Sequence, residues 1–123
     1  MKIYIAARFE RQIEARNYAV LLEAAGHIIT SRWLYVSNAA DLAVEAAHDL
    51  EDVDAADALI FLSESPETAW RRGSRCVEYG YALARGKRLR IIGPRENIFH
   101  WLLPDAAFFL SIDALVEALN DLR

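Results

Sequence analysis

The chain alternates short apolar runs with longer stretches in which apolar residues recur at helical spacing. Ile3 to Ala6 is apolar between polar flanks and predicts a first strand. Arg11 to Ala25 predicts a helix, with Ile13, Tyr18, Leu21, Leu22 and Ala25 on its inner face and Gly26 at its end. His27 to Arg32 reads as a second strand, Trp33 to Asn38 as a loop, and Asp41 to Ala56 as a second helix rich in alanine and acids. Ala58 to Leu62 is apolar throughout, as a strand covered on both faces requires. After an irregular loop, Ser63 to Gly73, a third helix runs from Arg75 to Arg85, ended by Gly86. Arg88 to Ile92 predicts a fourth strand, stopped by Gly93-Pro94. A connection holding Phe99, His100 and Trp101 leads to a short fifth strand near Phe108 to Leu110. Ser111 or Asp113 would cap a last helix running to about Leu122.

Strands alternating with helices imply βαβ units. About five strands in 123 residues suit a single domain over residues 1–123. The expected architecture is a flavodoxin-like, doubly wound parallel sheet with helices on both faces. Such sheets bind ligands beyond the carboxyl ends of their strands, at the point where the winding reverses. The loops Ala7 to Glu10, Ser63 to Gly73 and Gly93 to Asn97 are therefore expected near the site.

Composition narrows the function. Apolar residues make up 54% and charged residues 26%, which excludes a disordered chain. Fourteen basic against eighteen acidic residues give a net charge of −4. That argues against a nucleic-acid polymer as partner and leaves room for one local basic pocket. No apolar run reaches the roughly 18–20 residues of a membrane span, so no membrane partner is expected. Met1-Lys2-Ile3 enters a strand pattern without the architecture of a signal peptide, which predicts a cytoplasmic protein. A lone cysteine, Cys76, excludes an internal disulfide and a multi-cysteine zinc site. His27, His48 and His100 lack metal-ligand spacing, so no metal is expected. The chain has no GxGxxG, P-loop or GxSxG pattern, and no cofactor is called for.

The strongest local feature is Arg71-Arg72-Gly73-Ser74-Arg75-Cys76-Val77-Glu78. A glycine and a serine open a helix, so N–H groups and the positive dipole end would face a ligand, and three arginines would suit a phosphate. The competing reading is a plain helix start with solvated arginines. Glu78 lies one turn into that helix, where the dipole would keep a nucleophilic carboxylate ionised. Acids in the first turn also serve stability alone. Asp49 sits among Asp41, Glu45, Glu51, Asp52, Asp54 and Asp57, most of which read as a solvated face, with Glu45, Asp49 and Asp52 on one side. Tyr4 reads either as a core aromatic or as a hydroxyl that orients a carboxylate. Two carboxylates on separate elements facing one pocket would suit glycosidic-bond chemistry.

Three segments stand out together: Lys2-Ile3-Tyr4-Ile5-Ala6-Ala7-Arg8-Phe9, Asp49-Leu50-Glu51-Asp52-Val53 with Ala56-Asp57 following, and Val77-Glu78-Tyr79-Gly80-Tyr81-Ala82-Leu83-Ala84-Arg85-Gly86-Lys87. In this order they resemble the nucleoside 2-deoxyribosyltransferase family, whose relatives include 2'-deoxynucleoside 5'-phosphate N-hydrolases. The resemblance runs from residue 2 to about residue 104, and the third segment is its most specific part. It implies a flavodoxin-like fold and cleavage or transfer at the N-glycosidic bond of a 2'-deoxynucleoside or its 5'-monophosphate. Glu78 matches the family's nucleophile, which forms a covalent glycosyl-enzyme. Asp49 matches the aspartate that contacts or protonates the leaving base, and Tyr4 the tyrosine that holds the nucleophile.

One departure bears on the substrate. Nucleoside-using transferases resemble one another in an aspartate six residues before the glutamate, where this chain has Arg72. Relatives using 5'-phosphates have a serine in that region and lack the acid. Arg72, Ser74 and Arg75, with Gly73 beside them in the candidate substrate-binding set, thus tilt the expectation toward a monophosphate through the arginines and the serine. Arg8, Phe9 and Asn97 complete the candidate substrate-binding set, and Arg95, Asn97 or His100 could instead reach a partner's pocket. Trp33, Trp70, Phe99, Trp101, Phe108 and Phe109 are many large aromatics for a small surface and predict a homo-oligomer, dimer or higher. The alternative function is a non-catalytic nucleotide-binding or sensing domain on the same fold. A flavin or phosphoryl binder is disfavoured, because Ala7-Arg8-Phe9-Glu10 is not a Ser/Thr/Gly-rich phosphate cradle.

Overall fold

The structure is a computed structural model that describes residues 1–38, 40–68 and 73–121. The described strands are β1 (Lys2–Ala6), β2 (Ile28–Ile29), β3 (Ala58–Leu62), β4 (Arg88–Ile92) and β5 (Phe108–Phe109). They form one parallel sheet in the order β2-β1-β3-β4-β5. Helices α1 (Gln12–Ala24) and α4 (Ile112–Asp121) cover one face, and α2 (Leu42–Ala55) and α3 (Ser74–Ala84) the other. This is the flavodoxin-like order, and its winding reverses between β1 and β3.

Strand parity divides the core into two halves. Ile3 and Ile5 of β1, with Ile60 and Leu62 of β3, pack against Ala15, Ala19 and Leu22 of α1 and Leu115 and Leu119 of α4. Tyr4 and Ala6, with Leu59 and Phe61, face Val53 of α2 and Tyr79 and Ala82 of α3. Successive side chains point to opposite faces of a strand, so the position of Tyr4 between Ile3 and Ile5 commits it to the α2/α3 side. All five β3 residues are buried, which accounts for the unbroken apolar run.

Several expectations are revised. The ladder of β2 ends early because Ser31 intervenes: its hydroxyl, not a backbone carbonyl, accepts from the Ile5 N–H at 2.8 Å. Residues Arg32–Tyr35 then form a 3-10 turn where a loop was expected. The buried stripe of α1 is Ala15, Ala19 and Leu22, while Ile13 and Leu21 are exposed. Small residues bring the helix close to the sheet there. The acids around α2 are mostly exposed, as expected, and Asp52 is the buried exception. Asp41 caps α2 by accepting from the N–H groups of Ala43 and Val44. Asp52 is buried and takes the backbone N–H and Nε of Arg32 at 3.0 Å each. Asp54 binds Tyr81 and Arg85, and Asp57 accepts from the Lys2 N–H. Ser111 caps α4 through Ala114, so Asp113 is not the cap. Among the described residues no helix is long and apolar enough to cross a membrane.

The connections after β3 and β4 press together at Gly93, whose φ of +116° favours glycine. A Cβ there would collide with the Ser63 hydroxyl. Gly93→Ala should therefore cost roughly 1–3 kcal/mol through strain and overlap. Thermal unfolding would show this as a lower Tm, partly recovered by adding Ser63→Ala, which removes the overlap and leaves the φ strain.

Candidate functional site

A cleft of about 270 Å³ opens beyond the carboxyl end of β1, where a doubly wound sheet is expected to bind ligands. Each of its walls comes from a different element. The connection after β1 supplies Arg8 and Phe9, the segment after β2 supplies Trp33 and Val36, α2 supplies Glu45 and Asp49, and α3 supplies Ser74, Arg75 and Glu78. The indole N–H of Trp33 donates to the Ile5 carbonyl at 2.7 Å, which fixes that aromatic wall to β1.

Beneath the cleft, the buried Tyr4 hydroxyl donates to Oε2 of Glu78. The contact follows from parity: Tyr4 faces α3, and Glu78 lies on the buried side of that helix. Burial pushes the Glu78 carboxyl up to about 8; the nearby Asp49 charge adds to the rise, and the Tyr4 hydrogen bond opposes it. Asp49 is raised to about 6, first by burial and then by Asp52 and Glu45, with His48 and Arg32 pulling the other way. Tyr4 is itself held well above the usual phenol range by burial and by the carboxyls of Glu78 and Asp49. This corrects the expectation that the helix dipole keeps Glu78 ionised. The helix starts at Ser74, so Glu78 lies past its first turn, and the dipole fades there while desolvation dominates.

The other predicted residues separate. Gly73 precedes α3 as its N-cap, and Ser74 faces the cleft. Arg8 lines the cleft while its guanidinium lies 3.4 Å from Glu64 and 3.5 Å from Glu10. Phe9 lines the cleft half-exposed. Arg72, like Trp70, lies outside the described residues. Arg75 is not a solvated cation: it is buried, and its Nη2 is 2.8 Å from Oε2 of Glu96. Asn97 is not part of the cleft wall; its side chain accepts from the Phe99 N–H and caps the Ile98–Leu102 turn. His100 cannot reach a partner's pocket, being fully buried between Phe61 and Tyr79. Arg95 is stacked on Trp101 and Phe108 and pairs with Asp105. The aromatics also divide, with Trp33 in the cleft wall, Phe109 against the core, and Phe99 and Trp101 exposed.

Sequence reasoning missed Trp33, Val36 and Leu42 as cleft walls and Glu96 as the partner of Arg75. The position of Trp33 just past the carboxyl end of β2 was the available signal. Glu96 carried one too, as an acid in the loop after β4 that must lie near the arginine-rich start of α3.

No protein-family model matches the chain, and no curated protein matches it in sequence. Solved structures do resemble it. A CMP N-glycosidase of Clostridium botulinum, BcmB, aligns over 100% of both chains at 16% identity with a TM-score of 0.63. A 2-deoxyribosyltransferase from Leishmania mexicana aligns over 98% of this chain and 97% of its own at 18% identity, with a TM-score of 0.64. These likenesses show a shared flavodoxin-like α/β fold across the whole chain.

The raised Glu78 carboxyl has a thermodynamic consequence. Between its ordinary value of 4.5 and about 8, the folded protein binds a proton that the unfolded chain has released. That contribution to stability is therefore lost as pH rises through the window. Glu78→Gln keeps an acceptor for Tyr4 and carries no charge to desolvate. Its Tm should exceed that of the wild type by a margin that grows from pH 5 to pH 8 and then levels off, as differential scanning fluorimetry across pH would register.

Proposed function

We propose that this protein is an enzyme that cleaves or transfers at the N-glycosidic bond of a nucleoside or nucleoside 5'-monophosphate, with Glu78 as nucleophile. One observation carries the reading: the Glu78 and Asp49 carboxyls line a single cleft with an aromatic wall, and the Tyr4 hydroxyl holds Glu78 from beneath it. The two structural neighbours, one named for CMP N-glycosidase and one for 2-deoxyribosyltransferase activity, support the same bond as the target.

The chemistry follows from the groups. Tyr4 holds Oε2 of Glu78, which leaves Oε1 to attack the anomeric carbon. As the C–N bond breaks, its electron pair goes to the base nitrogen, and Asp49 supplies the proton. The transition state carries oxocarbenium character, which the Glu78 carboxylate stabilises before it closes to a glycosyl ester. Water or a second base then attacks the same carbon, the ester bond to Glu78 breaks and returns its electron pair to the Glu78 carboxylate, and the Asp49 carboxylate takes the proton from the attacking group. Water as acceptor makes the protein a hydrolase, a base a transferase. Phe9 and Trp33 would flank the base. Arg8, Ser74 and the start of α3 would take a 5'-phosphate, which favours the monophosphate.

Product analysis by liquid chromatography tests this on ribo- and deoxyribonucleosides and their 5'-monophosphates, with and without a second free base. Base release by the wild type that falls at least about 10³-fold in Glu78→Ala is expected. Retention of every substrate intact by a protein that binds it would point instead to a sensing domain. The reaction needs Glu78 ionised and Asp49 protonated, and the pair releases its two protons near 6 and near 8. The kcat/KM profile should therefore be a bell, falling below about 6 as both hold protons and above about 8 as both lose them.

The exposed apolar residues Val77, Ile98, Phe99, Trp101 and Leu102 suit burial against a second copy of the chain. Light scattering at assay concentration should give at least a dimer, reduced toward monomer by Trp101→Asp; a monomeric wild type would overturn this.

A further inference from the structure

We propose that Glu96 is a positioning residue: it draws the Arg75 guanidinium away from Glu78 and so leaves that carboxyl to Tyr4 and to substrate. The inference rests on the reading of Glu78 as nucleophile. It concerns a residue that lies outside the cleft wall and is not among the expected site residues.

Arg75 and Glu78 lie three residues apart on α3, both are buried, and both border the same cleft. Residues at this spacing face one another on a helix. A buried guanidinium needs a carboxylate, because an unpaired charge away from water is strongly disfavoured. The obvious partner one turn along is Glu78. An arginine seated there would hold the carboxylate ionised, share its lone pairs and blunt its attack.

The structure sends Arg75 elsewhere. Its Nη2 lies 2.8 Å from Oε2 of Glu96, and both side chains are almost wholly buried. The second Glu96 oxygen accepts the Glu64 N–H at 2.8 Å, so the carboxylate also ties the connection after β3. The Glu96 backbone N–H donates to Nδ1 of His100 at 3.0 Å, and His100 is wedged between the Phe61 and Tyr79 rings. The Arg75 guanidinium lies 5.7 Å from the centre of the Phe61 ring. Glu96 is thus fixed at its carboxylate and at its backbone before it meets Arg75.

The groups around Glu78 agree. Tyr4 faces it from β1, Asp49 from α2, and Arg75 and Cys76 lie on its own helix. Its carboxyl is displaced upward by burial and by Asp49, and among the described residues the opposing influence is Tyr4. An arginine paired with it would displace it downward.

The test compares wild type, Glu96→Gln and the double variant Arg75→Met/Glu96→Gln. The titration of the Glu78 carboxyl is read by carbon NMR, assigned by its absence in Glu78→Gln, alongside kcat, KM and Tm. Glutamine can still accept from Glu64 but no longer neutralises Arg75. In Glu96→Gln the Glu78 carboxyl should titrate about one unit lower. The upper limb of the kcat profile should move with it, and kcat should fall about tenfold with KM little changed. Removing the cation in the double variant should return the titration to the wild-type position. A lower Tm with an unmoved Glu78 titration would reduce the pair to a structural staple and overturn the proposal, as would a shift that persists without Arg75. A wild-type measurement guards against a variant that does not fold: the Arg75 guanidinium resonances should not respond as Glu78 ionises. A response would overturn the proposal. If wild type releases no base, the proposed function falls, while the titrations still decide where Arg75 goes.

Discussion

The desolvation of one carboxyl, Glu78, sets the terms for everything around it. The side chain lies against β1 with its Oε2 taken by Tyr4, in a region where the sheet and two helices exclude water. Burial, with a smaller contribution from the Asp49 charge and against the pull of the Tyr4 hydrogen bond, raises its proton affinity to about 8. A carboxyl in that state is costly to ionise and, once ionised, is poorly solvated and reactive. Stability and chemistry are therefore opposed at this position.

Placing that carboxyl requires the whole doubly wound architecture. β1 must present Tyr4 to the α2/α3 side, β3 must sit beside it with every residue buried, and α3 must begin just beyond the carboxyl end of β3. The reversal of winding between β1 and β3 keeps the space above them free of a crossover, and the cleft occupies it. Trp33, tied to the Ile5 carbonyl, then closes the side toward β2.

The charges near the cleft are distributed so that few are left to compete for it. Arg75 is held by Glu96, Arg32 by Asp52 and Glu51, and Arg11 by Glu14 and Glu64. Exposed pairs of this kind contribute little to stability. The Arg75–Glu96 pair differs because it is buried: its net contribution is small beside the cost of removing one partner alone, so its main effect is on where each charge resides. Among the described residues Asp49 makes no ion pair of this kind, and burial, with Asp52 and Glu45 nearby, raises its carboxyl to about 6.

The sequence alone determined the order of strands and helices, because that order follows from period-2 and period-3.6 apolar spacing and from breakers such as Gly26, Gly86 and Gly93-Pro94. It also singled out Tyr4, Asp49 and Glu78 through local segments whose resemblance to a family can be read residue by residue; Asp49 and Glu78 line one cleft, and Tyr4 lies beneath it. Short elements were less legible: β2 is only Ile28–Ile29, because a serine hydroxyl can replace a ladder carbonyl and no periodicity records it. The stripe of α1 was misread because alanines at a close helix–sheet contact carry a weaker apolar signal than the exposed Ile13 and Leu21. Only the tertiary structure decided which carboxylate Arg75 meets, that Asn97 caps a turn outside the cleft wall, and that Glu78 holds its proton near neutrality. The Arg75 and Glu78 outcomes depend on burial and on partners about twenty or more residues away in the chain, and neither is encoded in local spacing.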